Sequence, residues 1–297
     1  MKLEFLVPIF NFNYLGENKS PNDMWNHKID FHENLKDYII EGDYKIILKK
    51  KDFNELNFIE EIDWFSNADC NDIRSTHWTF SFECEKEKLD NYKQKFNLLL
   101  LAFRIAKHSD LSIKYIICKD VLHFSSKYSD DWKYALAEQN IKKDFRDLNN
   151  LDLHDIVIVY NQLQELFKVS HRTTHAINFL FLAYTSYYWM ESYILFMTSL
   201  ETLVSPSIEE GITSKIIKRT RKLINDSKMC SKRNINNLYK LRSNIIHGRV
   251  LVDLSFKEHQ DEMVKLQIIV LKAFEKILSN DFHTIYKNEE SKEKFFN

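Results

Sequence analysis

Glycine and proline are scarce in this chain, four and three in 297 residues. A sandwich or a barrel needs many tight turns built on positive φ angles or a locked φ, so both are excluded and a mostly helical chain is expected. The glycines, Gly16, Gly42, Gly211 and Gly248, stand alone, which excludes a glycine-rich phosphate loop and a dinucleotide fingerprint. Cys70, Cys84, Cys118 and Cys230 are widely scattered, with no C-x-x-C spacing. That pattern excludes a paired-cysteine zinc or redox site and predicts reduced, buried thiols. No cofactor is expected. The opening MKLEFLVPIFNF has a short apolar run interrupted by Pro8 and no small-residue cleavage site, unlike a secretory signal, and a cytoplasmic protein is expected. Long apolar runs are lacking too. The nearest, Ala176 to Leu200, carries Glu191 as its one charge and approaches the roughly 20 residues of a bilayer span. Asn178, Thr185, Ser186, Ser192, Thr198, Ser199 and four tyrosines interrupt it, and a break near Thr185 to Tyr187 leaves two pieces too short to cross. Two buried helices are expected there, not a membrane anchor.

What is present divides the chain into an N-terminal mixed α/β domain, residues 1–150, and an all-α bundle, residues 151–297. The fold class is α+β, predominantly α. Trp78, Phe80 and Phe82 alternate with Thr79, Ser81 and Glu83, as in a strand with one buried face. Leu89, Tyr92, Phe96, Leu99, Phe103 and Ala106 recur at helical steps. Further strands are expected at Tyr44 to Lys50 and Ser112 to Lys119. No chemistry is legible in this half. Beyond residue 150, helices are expected over 152–168, 172–184, 188–204, 212–225, 231–247 and 257–279. In the last, Met263, Leu266, Val270, Ala273 and Ile277 form one stripe. The charged tail, Asn288 to Asn297, is expected to fray.

Charge is concentrated. Net charge is -1, yet between Lys215 and Arg249 Asp226 is the one acid among Lys215, Lys218, Arg219, Arg221, Lys222, Lys228, Lys232, Arg233, Lys240, Arg242 and Arg249. On the helix Lys215 to Lys222 no acids interleave to form i, i+4 pairs, and Ile212, Ile216, Leu223 and Ile224 are assigned to its buried side. Its cations Lys215, Lys218, Arg219, Arg221 and Lys222, with Arg249, are candidates for phosphate contact. The alternative is a merely solvated face.

Within that segment LYKLRSNIIHG, Leu238 to Gly248, places Arg242 and His247 at the end of one helix. Five residues on an ideal helix separate them by about 140° and about 7.5 Å along the axis, so both side chains can address one phosphate. Cleaving RNA without metal requires a base for the 2′-hydroxyl, an acid for the departing 5′-oxygen and a cation for the charge growing on phosphorus. Imidazole, with a reference pKa near 6.5, can make either proton transfer, and guanidinium matches phosphate oxygens. Ser243 and Asn244, at i-4 and i-3 from His247, can orient the ring or touch RNA. The bland alternative is that Arg242 and His247 only cap and solvate a helix end.

The run LYKLRSNIIHG resembles the motif of the HEPN superfamily (higher eukaryotes and prokaryotes nucleotide-binding domains), most closely its Apea-like branch. The similarity continues upstream through SLETLVSP, Ser199 to Pro206, and ITSKIIKRTRKLI, and covers about residues 165 to 280. The resemblance implies an all-α bundle that dimerises so that two motifs face each other, and a metal-independent endoribonuclease used as a toxin-like effector in antiviral defence or abortive infection. It assigns phosphate binding to Arg242 and proton transfer to His247. Active members often carry Asn, Asp or His after the arginine, where this chain has Ser243. The N-terminal domain would then sense a trigger or restrain the nuclease. The other implied possibility is a catalytically silent module that binds nucleic acid, a nucleotide or a partner protein. Glu201 in SLETLV either pairs with Arg242 or is an exposed helix residue. His171 and His175 in HRTTH have a zinc-compatible spacing, but Arg172 stands where a zincin has its glutamate and no third ligand is recognisable. No metal site is expected.

Overall fold

The computed structural model describes residues 2–10, 13–14, 38–40, 46–50, 67–107, 109, 111–113, 115–118, 125–127, 147–186, 188–206, 212–226, 229–250 and 256–297. The chain forms two compact units, Met1–Asn161 and Gln162–Asn297. The fold is α+β and predominantly α, in line with the scarcity of turn residues.

In the first unit a sheet is centred on β1 (Leu3–Phe10). Around it lie β3 (Tyr38–Ile40), β4 (Ile46–Lys50), β5 (Trp78–Cys84), β6 (Ser112–Ile113), β7 (Tyr115–Cys118) and β8 (Ser125–Lys127), in the order β3-β4-β5-β1-β7-β8 with β6 also on β1. Every pairing in it is antiparallel. A separate small pair joins β2 (Asn13–Tyr14) and β9 (Asp147–Leu148) in parallel. The opening apolar run is thus one continuous strand through Pro8. The proline has no N–H for a ladder, and it sits between Phe5 and Leu6, which pair with β7, and Ile9 and Phe10, which pair with β6.

Strand β5 departs from the expected alternation, because Thr79 and Ser81 are buried along with Trp78, Phe80 and Phe82. Their hydroxyls are satisfied: Thr79 accepts from the Val7 N–H at 3.0 Å and Ser81 donates to Glu4 at 3.1 Å. Helix α1 (Asn67–Arg74) precedes this strand, and helix α2 (Leu89–Lys107) packs on it through Phe82–Tyr92 and Phe80–Phe96 ring contacts at 4.2 and 6.0 Å. Of the expected α2 stripe, Ala106 is half-buried and the rest buried. Tyr44, Lys45, Lys114 and Lys119 of the expected strands lie outside the described residues. All four cysteines are buried and outside any disulfide, and burial pushes the Cys84 thiol up to about 11, with Cys118 reinforcing the shift.

Helix α3 (Asn150–Val169) spans the division between the units, which falls at Asn161 and Gln162. Its start is held within the first unit by ion pairs from Lys107 to Asp152 and Asp155, both at 2.8 Å.

The second unit continues with α4 (His171–Thr185), α5 (Trp189–Val204), α6 (Ile212–Ile224), α7 (Lys232–Ile246), α8 (Phe256–Leu278), α9 (Phe282–Ile285) and α10 (Glu289–Phe296). The run Ala176 to Leu200 is two helices with a break at Ser186, and Ser199 donates to the Ala176 carbonyl at 2.7 Å to hold them together. Among the described residues no helix is long and apolar enough to cross a membrane. The α8 stripe from Met263 to Ile277 is buried at every step. The tail does not fray. Asn288 caps α10 through the Ser291 N–H at 2.8 Å, and α10 buries Lys292 and Phe296.

Candidate nucleic-acid site

Helix α7 carries the site. Ser231 caps its start by accepting from the Asn234 N–H at 3.2 Å, and Ile235, Leu238 and Leu241 anchor its buried face, with Ile245 half-buried. The Tyr193 hydroxyl of α5 donates to the Leu238 carbonyl at 2.9 Å, fixing α7 against α5. At the other end Gly248 takes φ +64. Its N–H reaches the Ile245 carbonyl at 3.0 Å and the Arg249 N–H reaches Asn244 at 2.8 Å, the paired bonds of a Schellman stop. Only a residue tolerant of the left-handed region ends the helix this way, and so the glycine fixes where His247 stands. His247 is the C-cap, with φ -87 and ψ 11, and is exposed. Ser243 is exposed and Asn244 half-buried, and both give backbone carbonyls to the helix stop.

Arg242 is held from α5. Its Nη2 meets Glu201 Oε2 at 3.2 Å, with the two side chains 30% and 19% exposed. The pairing reading of Glu201 is therefore the observed one. The Nε of Arg242 is buried and, among the described residues, has no hydrogen-bond acceptor. Sequence reasoning missed the third member, Tyr239, one turn before Arg242 and so on the same side of the helix. Its hydroxyl is buried beside the Glu201 carboxylate without meeting ordinary hydrogen-bond geometry, so it acts as an electrostatic neighbour. Burial, and then Glu201, push the phenol well above its ordinary value. For Glu201, burial raises the carboxyl above its ordinary 4.5 and outweighs the lowering by Arg242 and Tyr239.

That shift has a testable sign. A carboxyl whose folded pKa exceeds its unfolded one binds more protons when folded, so its stabilising contribution is present below the unfolded pKa and is lost as pH rises through the folded one. Glu201→Gln lacks this titration. Wild type is expected to lose stability relative to Glu201→Gln as pH rises above the ordinary carboxyl range, read by urea unfolding of both proteins. A difference that stays flat as pH rises refutes the burial account.

The expected phosphate contacts divide. Lys218, Arg221, Lys222 and Arg249 are exposed and Lys215 is half-buried. Arg219 is 3% exposed and is not available to RNA. It donates to the Val204 carbonyl at 3.2 Å, pairs with both carboxylate oxygens of Glu293 in α10, and lies over the Phe296 ring at 5.5 Å. The reason is helical spacing, which puts residue 219 on the same side as Ile216, Thr220 and Leu223. Conversely Ile212, assigned to that buried side, is 41% exposed because it opens the helix. His171 and His175 are both exposed, Arg172 between them is taken by Glu289 and the Thr202 carbonyl, and among the described residues no group of three metal-ligating side chains occurs.

No protein-family model, curated protein or solved structure matches the chain.

Proposed function

We propose that the chain is a cytoplasmic, metal-independent endoribonuclease of HEPN type, with its active centre at Arg242 and His247. One observation carries the reading: a guanidinium fixed by Glu201, its buried Nε lacking an acceptor among the described residues, on the same helix end as an exposed imidazole. Pinning by a carboxylate removes side-chain freedom beforehand, so a phosphate oxygen meets an oriented donor. The exposed imidazole takes the proton of the 2′-hydroxyl, whose oxygen bonds to phosphorus while the bond from phosphorus to the 5′-oxygen breaks. Arg242 offsets the charge that grows on the phosphoryl oxygens. The 5′-oxygen must gain a proton, and a second copy of the motif in a homodimer supplies the acid. The products are a 2′,3′-cyclic phosphate and a 5′-hydroxyl. The toxin-like role in antiviral defence or abortive infection, and a trigger bound by the first unit, rest on the motif resemblance alone.

A second reading is favoured by the same ion pair. Glu201 neutralises much of the charge of Arg242, and Ser243 follows it, as a silent HEPN module binding nucleic acid, a nucleotide or a partner protein would allow. Incubating the purified chain with total RNA in EDTA and mapping the new ends separates the two. Cyclic-phosphate ends that persist in chelator are the expected result; intact RNA, or cutting that returns only with added zinc or magnesium, defeats the nuclease reading.

A further inference from the structure

A cleft of about 420 Å³ opens between α6 and α7, lined by Lys218, Arg221 and Lys232 with Thr213, Ser214, Asn236 and the apolar Ile217. Among the described residues its walls carry three cations and no carboxylate. All three are exposed, and among the described residues none of their side chains has an ion-pair or hydrogen-bond partner. Several other cations of this unit are matched: Arg172 with Glu289, Arg219 with Glu293, Arg242 with Glu201 and Lys272 with Asp226. A second cleft, lined by Asp226, Lys272, Glu275 and Lys276, balances its charges. Three like charges around one opening repel, and an anion between them relieves the repulsion.

The cleft is also connected to the candidate centre. On α7, Lys232, Asn236, Lys240, Ser243 and His247 recur at steps of 4, 4, 3 and 4, and all are exposed. On ideal geometry they share about 80° of arc and extend about 22 Å. No acid and no apolar side chain breaks this ridge. It is a strip of cationic and hydrogen-bonding groups that begins at the cleft and ends at the imidazole.

We propose that the cleft is a phosphate subsite for single-stranded RNA, and that the strand follows the α7 ridge from Lys218, Arg221 and Lys232 to the linkage beside His247. The subsite deepens the nuclease reading and takes its substrate from it. Hydroxyls of Thr213 and Ser214 and the amide of Asn236 add neutral hydrogen-bonding groups suited to phosphate oxygens.

The test uses the 297-residue chain carrying His247→Ala, so that RNA stays whole, and follows polarisation of a fluorescein-labelled ten-nucleotide RNA in EDTA from about 50 to about 200 mM salt. Changing Lys218, Arg221 and Lys232 together to Gln removes three phosphate contacts. At about 0.7 per contact, the slope of log affinity against log salt flattens by about 2, so the fourfold salt rise costs the parent about twenty-fold more affinity than the triple variant. Lys232→Gln alone flattens it by about 0.7. Changing Lys265, Lys276 and Lys287 to Gln removes equal charge away from the cleft and leaves the slope as it was. An unaltered slope in the cleft variant, equal flattening in the control, or no RNA binding by the parent overturns the subsite. A wild-type chain that never cuts RNA, with the cleft dependence intact, defeats the nuclease reading and leaves the subsite standing.

Discussion

Replacing His247 by alanine is expected to lower RNA cleavage by about 10² to 10⁴-fold while leaving the fold intact. The side chain is exposed at a helix end that is closed by backbone bonds and Gly248, so its removal takes away no packing. Arg242→Ala is expected to cost about 10² to 10³-fold in rate, the range for one oriented donor to developing charge. This second change also strands Glu201, a carboxylate only 19% exposed, without its cation, and so carries a stability loss of about 1–3 kcal/mol. The two effects separate in one pair of measurements. Cleavage of a labelled RNA in EDTA reads the chemistry, and urea unfolding reads the fold. Combining both substitutions should add little beyond the worse single one, since residues acting on one step are not additive. His247→Ala that cuts at the wild-type rate removes imidazole from the mechanism altogether.

The largest effect on stability is expected at Arg219, not at the candidate centre. Arg219→Ala leaves Glu293 facing a buried site and frees the Val204 carbonyl at the end of α5. Breaking such a pair from one side costs about 3 kcal/mol, read as a lowered urea midpoint at unchanged slope. Because Glu293 and Phe296 hold α10 through this arginine, the terminal helix should exchange its amides first. Arg219→Met combined with Glu293→Leu should recover most of the loss, as apolar replacement of both members of a largely buried pair removes their desolvation costs. The salt dependence of RNA binding should not change in either variant. A flattened salt slope with full stability would instead return Arg219 to the RNA surface.

Much of the second unit was legible in the sequence because its signals are local. Apolar residues at three and four steps, the breaks at Ser186 and Ser205, and Gly248 at a helix end each act within a turn or two of the backbone. Helices α3 to α8 accordingly lie within two residues of the expected bounds at each end. Helix α10 was not legible, since EESKEKFF offers a single deeply buried aromatic, Phe296, and its second buried residue is a lysine. Strand β5 was misread on one face for a related reason: Thr79 and Ser81 look solvent-facing until Val7 and Glu4 of β1 are laid beside them.

The same division runs through the candidate site. Sequence by itself determined that Arg242 and His247 ride the end of one helix, and that most of the positive charge between Lys215 and Arg249 has no neighbouring acid, because helical spacing and composition are properties of adjacent residues. Tertiary structure decided what each cation does. Arg219 meets Glu293, 74 positions away, Arg242 meets Glu201 on another helix, and Lys218, Arg221 and Lys232 meet no acid among the described residues and gather at one cleft. Which charges are neutralised depends on which helices pack together, and packing is fixed by apolar faces far apart in the chain, so no reading of neighbours along the sequence could have sorted them.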